Sequence, residues 1–247
     1  MALIEINFLR RLLFSQHGYV CLRDDKAALK VGFTLSFLVV VLVLVHIVTH
    51  QAINISNYEN MLLIKIHEFI NLGNDTSLSE TLNHGMLFSC AAIFLYIFFK
   101  TYARVMLFFN VFFIFAWLDD SAQYHERVGG VVSESLRIPS LFGLRGQDFG
   151  ELIAWASIAV MLLAVALWAY NGKQPGDLNI VVILSKPIAA LIFCGVVFDI
   201  LHIIIKGYWA DLILTVLEDG GEMISIAAAV AASLAVLNGA DKIYKNK

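Results

Sequence analysis

Nine carboxylates in four short stretches could hold a metal ion or a set of shared protons, in a chain with almost nothing else polar inside its apolar segments. They are Asp119, Asp120 and Glu126 in WLDDSAQYHER, Asp148 and Glu151 in GQDFGEL, Asp199 in FDILHI, and Glu218, Asp219 and Glu222 in LEDGGEM. Two histidines, His125 and His202, stand beside them. A charged side chain at the centre of a bilayer costs about 2.5–3.5 kcal/mol on insertion scales. Several together need an offset: a bound cation, shared protons or ion pairs. The basic residues nearest these stretches are Arg127, Arg137, Arg145 and Lys206. They are too few to match nine acids, so a divalent cation or protons must meet the excess.

Spacing supports a shared site. Asp148/Glu151 and Asp199/His202 are i,i+3 pairs and Glu218/Glu222 is an i,i+4 pair, so each pair shares one helix face. Asp119, Gln123 and Glu126 share a face if their helix runs on, and His125 then reaches the site only where the helix bends. Carboxylate and histidine pairs contributed by several helices are how bundle cores hold one or two metal ions. The expected ligand set is Asp119, Asp120, His125, Glu126, Asp148, Glu151, Asp199, His202, Glu218 and Glu222. Glu222 and Glu126 are the expected catalytic proton carriers. Oxygen-rich ligation with one or two imidazoles suits Zn, Mn or Fe, whereas Cys21, Cys90 and Cys194 lie too far apart in sequence to suggest a thiolate site. Plainer roles compete. A carboxylate at a helix end is usually solvated, and Asp148 also suits a helix N-terminus through the dipole. Asp219, about 100° round from Glu218 on a helix of ~3.6 residues per turn, is a candidate for pairing with an arginine. His46, His50 and His84 read as interfacial histidines rather than ligands.

The elements that must position these groups are helices. The chain is 60% hydrophobic and 15% charged, with a mean hydropathy of +0.78, which belongs to a polytopic membrane protein. A net charge of -3 gives no reason to expect a nucleic-acid partner. Six segments are long enough to cross a bilayer: 29–49, 82–99, 102–119, 149–170, 184–205 and 212–237. The expectation is therefore an all-α, six-helix transmembrane bundle forming one domain over 1–247, with an outer loop at 51–81. That loop contains MLLIKIHEFINL, an amphipathic stretch suited to the membrane surface. Pro187 is expected near the start of the fifth span, where its missing N–H costs least. Gly220-Gly221 should interrupt the sixth.

Lysine and arginine give the orientation. With a cytoplasmic N-terminus, only Lys65, Arg127, Arg137, Arg145 and Lys206 of the 17 basic residues fall on the outer side. Both termini are then inside, and every histidine except His17 is outside. Arg10 and Arg11 are not followed by an apolar core with a small-residue cleavage site, so no removable signal peptide is expected.

The motifs DDSAQYHER, GQDFGE and LEDGGEM resemble those of a poorly characterised group of bacterial inner-membrane proteins with acidic and histidine motifs in their last four helices. The resemblance covers roughly 105–237. It implies a multi-pass protein of the bacterial inner membrane and carries no activity with it. Alkaline ceramidase-like hydrolases also combine intramembrane Asp, His and metal, but their serine and multi-histidine pattern is not matched. The expected function is a metal-dependent membrane enzyme acting on a lipid or periplasmic small molecule. The alternatives are a proton- or cation-coupled transporter or sensor, and a structural subunit whose acids face partner membrane subunits.

Overall fold

The computed structural model describes residues 24–56, 59–74 and 76–244. Six helices are long and apolar enough to cross a membrane: Lys26–Ile55, Leu78–Thr101, Arg104–Ala122, Gly146–Asn171, Asp177–Ile204 and Tyr208–Tyr244. They are the six expected segments, each extended at one or both ends by polar turns that a hydropathy window leaves out.

Helix α1 (Lys26–Ile55) starts on Asp25, whose carboxylate accepts from the Ala27 and Ala28 backbone N–H groups at 3.1 and 2.9 Å. A short helix, α2 (Met61–Ile70), follows in the loop between the first two spans and exposes Met61, Leu62, Ile66 and Phe69. That is the amphipathic segment expected there. Helices α3 (Leu78–Thr101) and α4 (Arg104–Ala122) form the tight hairpin, turned at Tyr102 in the left-handed conformation. Of the two alternatives for the helix after Arg104, running on through Glu126 or bending so that His125 reaches the site, the structure takes the bend. Gln123 is left-handed (φ 51°), and α5 (Tyr124–Leu136) leaves in a new direction. Helix α6 is Gly146–Asn171. It meets α5 backbone to backbone, because a Cβ on Gly150 would lie 2.1 Å from the Gly129 carbonyl oxygen.

The fifth span is α7 (Asp177–Ile192), a π-helical turn (Phe193–Phe198) and α8 (Asp199–Ile204). Pro187 is thus inside α7 rather than near its start, since the helix begins at Asp177, below the apolar run. The sixth span is α9 (Tyr208–Thr215), a second π turn (Val216–Gly220) and α10 (Gly221–Tyr244). Gly220-Gly221 does not break it. Gly221 instead lets the fifth span close in, for a Cβ there would lie 2.6 Å from Cys194 Sγ. The two π turns therefore face each other. Such turns place one extra residue in a helix and recur at functional sites.

Helix α10 is the axis of the bundle. Its span is 67% buried, against 17% for the first span, and its buried face is built from Ala227, Ala229, Ala231, Ala232, Ser233 and Ala235. Small residues let helices approach within the bilayer, where apolar burial alone gives no preference for protein over lipid. A Cβ on Gly32 of α1 would lie 2.7 Å from the Ala231 Cβ. At one end of the bundle Asp25 accepts from Asn238 at 2.8 Å, Lys100 pairs with Asp241 at 2.9 Å, and Tyr244 donates to Asp177. The other end is open and polar.

Candidate functional site

A cavity of about 580 Å³ opens at that polar end, and all six spans and α2 contribute to its walls. Of the acids singled out in the sequence, Asp119, Asp120, Glu126, Asp199, Glu218, Asp219 and Glu222 line it, as do His125 and His202. Glu80, Asp211, His46, His50 and His67 join them. Among the described residues no lysine or arginine does. The floor is apolar, formed by Leu162, Leu191, Met223 and Ile226.

The break at Gln123 explains how α4 and α5 cooperate. Asp119, at the end of α4, accepts from the His125 backbone N–H at 2.9 Å and faces its Nδ1 at 3.0 Å. Asp119 is 5% exposed, so these two contacts are made away from bulk water. The carboxylate acceptor fixes the proton on Nδ1 and leaves Nε2 as the working nitrogen. The ring packs against Trp155 of α6, 5.4 Å between centroids and tilted by 32°. Burial alone would lower the His125 pKa. The hydrogen bond and charge of Asp119, with Glu126 and Glu151 nearby, outweigh it and hold the pKa above the ordinary histidine value.

Asp148 is drawn off into a different role. It accepts from Arg145 Nε and Nη2 at 3.0 and 2.7 Å and from the Arg145 backbone N–H at 2.6 Å. Both guanidinium donors reach Oδ1 and the backbone N–H reaches Oδ2, which fixes the start of α6, and Asp148 does not reach the main cavity. Glu151 accepts from Gln147 at 2.9 Å. With His125 and Asp199 it lines a small side pocket behind Trp155.

The fifth and sixth spans meet at His202. Its Nδ1 lies 2.9 Å from Glu218 and its Nε2 lies 3.0 Å from Asp211. Both nitrogens face carboxylates, so either both donate or one carboxyl carries the proton. Asp211 was not anticipated, because a lone acid at a helix start looks solvated in sequence. One turn on, Glu222 packs so closely on the first π turn that a Cβ on Gly195 would meet its Oε1 at 2.0 Å. Asp219, a candidate for pairing with an arginine, has no such partner among the described ion pairs. It sits against Gly73 of the loop between the first two spans, where a Cβ would be 3.2 Å away.

The tightest set of donor atoms was missed in the sequence. Glu80, His84 and Asp120 place one ligand atom each within 4.8 Å of one another. His84 Nε2 lies 3.4 Å from Glu80 and 3.2 Å from Asp120. Asn83 donates to Asp120 at 3.1 Å, and its other amide atom, Oδ1, is buried without a hydrogen-bond partner. Glu80 and His84 form an i,i+4 pair, the same signal that marked Glu218/Glu222. Of the expected ligand set, only Asp120 belongs to this group.

Three further histidines gather across the cavity. His46 and His50 of α1 and His67 of α2 have ring centroids 5.0 to 5.8 Å apart. His46 is 3% exposed, so it is a core residue rather than an interfacial one. His67 Nδ1 lies 2.9 Å from Thr49 Oγ1. Burial, and then the charge of His50, lower the His67 pKa below the ordinary value.

Residues 34–237, which include every group of this site, match the model of a domain of unknown function, DUF8692. No curated protein and no solved structure matches the chain.

Proposed function

The chain belongs to the DUF8692 family, and from its site we propose that it is a metal-dependent enzyme of the bacterial inner membrane. Its cavity faces the periplasm and its substrate is a lipid or a periplasmic small molecule. The observation that carries this reading is the convergence of Glu80, His84 and Asp120, of which Glu80 and Asp120 line the cavity. Two carboxylate oxygens and an imidazole nitrogen form an oxygen-rich set suited to Zn, Mn or Fe. The buried, unpartnered Asn83 Oδ1 supplies a further oxygen beside them. A divalent ion there would act as a Lewis acid and lower the pKa of a bound water. Glu126 and Glu222 line the same cavity and are the proposed proton carriers. Asp199 and Glu218, also on its walls, would supply negative charge towards a cation. The positive-inside pattern puts both termini in the cytoplasm, so reporter fusions at Asn74 and after the last helix should report opposite sides.

Elemental analysis of the purified, detergent-extracted protein tests the metal. The expected result is near-stoichiometric Zn, Mn or Fe, lowered by Glu80→Gln and by Asp120→Asn. Metal loss should also lower thermal stability, because an ion bound only by the folded state stabilises it by mass action. The loss should be larger at neutral pH than near pH ~5, where protonation relieves repulsion between carboxylates. Metal-free protein whose stability is unchanged in both variants would end the metal reading. A proton pathway would then lead, favoured by His202 between Glu218 and Asp211. It ranks second because the cavity ends on apolar side chains.

A further inference from the structure

His46 and His50 are one turn apart on α1 and therefore share a face. His67 arrives from α2, and the three ring centroids are separated by 5.0, 5.6 and 5.8 Å. A tetrahedral ion with bonds of about 2.0–2.1 Å to imidazole nitrogens would hold ring centroids about 5.2 Å apart. The rings already have that spacing.

The donor atoms add a second, independent argument. Thr49 Oγ1 lies 2.8 Å from the Val45 carbonyl and 3.1 Å from the His46 carbonyl, so its proton is used there. Toward His67 the hydroxyl then accepts, which puts the proton on Nδ1 and leaves a lone pair on Nε2. A partner that fixes one ring nitrogen and frees the other is the usual support of a metal-binding histidine. His50 Nε2 is buried with no hydrogen-bond partner, and so is the hydroxyl of Tyr208, whose ring lies 5.1 Å from His50. Buried polar atoms are nearly always satisfied, so two orphans on neighbouring rings call for a ligand. His46 Nδ1 is 3.4 Å from the Leu72 N–H, too long a contact to lock the ring. The rings are tilted by 32°, 32° and 59° to one another, and χ2 is a soft torsion about which each ring can turn its nitrogens toward a shared ion.

We propose that His46, His50 and His67 form a second metal centre, a three-imidazole site for a Zn-class divalent ion with its open position toward the cavity and Tyr208. It is distinct from the carboxylate centre at Glu80, His84 and Asp120. Three protein ligands and one open position are the layout of catalytic zinc sites. Imidazole ligation also favours Zn, Cu, Ni or Fe over Mg or Ca, which prefer oxygen.

The test is a Zn²⁺ titration of the full chain in detergent, with bound zinc counted after desalting. Size exclusion checks that each variant is folded. Wild type should bind two equivalents. His67→Ala and His50→Ala should each bind one, with at least a tenfold weaker second site; His67 lies on α2, outside the six spans, so its loss leaves them intact. Asp120→Asn should lose the other equivalent. Two equivalents retained in both His67→Ala and His50→Ala overturn the second centre. One equivalent in wild type that Asp120→Asn removes and His67→Ala keeps also overturns it, and leaves the carboxylate centre standing. One equivalent that only His67→Ala removes supports it and overturns the carboxylate centre. No zinc in any protein overturns both.

Discussion

Among the described residues the histidines divide into two groups of three with different neighbours. His84, His125 and His202 each face carboxylates, at 3.2, 3.0 and 2.9 Å for the nearest. His46, His50 and His67 face one another. Asp119 holds the His125 pKa above the ordinary value, whereas burial and the charge of His50 lower that of His67. The chemical consequence is a division of labour. An acid-paired histidine such as His125 can store or pass protons, whereas clustered imidazoles can offer lone pairs to a metal. Partners, not residue type, decide which a histidine does.

The largest effect on this contrast should come from Asp119→Ala. It removes the acceptor for both His125 contacts, and losing hydrogen bonds to a buried charged group costs about 1.5–3 kcal/mol. Thermal denaturation in detergent should show that loss, and proton titration of His125 by NMR should show its pKa falling. Zinc bound by the histidine trio should not change. An Asp119→Ala protein as stable as wild type would remove the account of the Gln123 break.

Next in size is a pair of opposite pH dependences. The His125 pKa is raised, so its stabilisation is present below the unfolded value of 6.5 and is lost as pH rises through the folded value. The His67 pKa is lowered, so below 6.5 the unfolded chain takes up a proton that the folded chain resists, and stability falls with pH. His125→Gln should flatten the stability profile above 6.5, and His67→Gln should flatten it below. Both variants flattening the same limb would break the contrast between the groups.

The smallest expected effect is that of Thr49→Val. It removes the hydroxyl's bond to His67, worth about 0.5–1.5 kcal/mol, with its bonds to the Val45 and His46 carbonyls of the same helix, and frees His67 Nδ1. Stability should fall slightly, while zinc affinity at the trio falls about 10- to 100-fold, as for other partners that orient a metal-binding histidine. Equal small changes in both would mean that Thr49 only packs.

Much of this molecule can be read along the chain. The six spans follow from runs of apolar residues, because a bilayer demands about 20 of them and little else satisfies that demand. The clustering of acids at one end follows from their positions near alternate span ends. Asp148 shows where such reading stops. Its i,i+3 spacing to Glu151 looked like a ligand pair, yet Arg145, three residues away, takes both its oxygens. Spacing places a side chain on a face and does not say which neighbour it meets there.

What the sequence by itself determined is therefore an all-α, six-span chain whose polar groups crowd one end. Helical period and hydropathy are local properties, and these conclusions need nothing more. Tertiary structure decided the rest. The left-handed turn at Gln123 swings His125 back to Asp119. The folding of α2 against α1 brings His67 to His46 and His50 from 21 and 17 residues away. The α3–α4 hairpin carries Glu80 and His84 to Asp120. Each of these contacts joins residues on different helices, and the distance between two helices is set by the small residues packed between them, not by the spacing within either one.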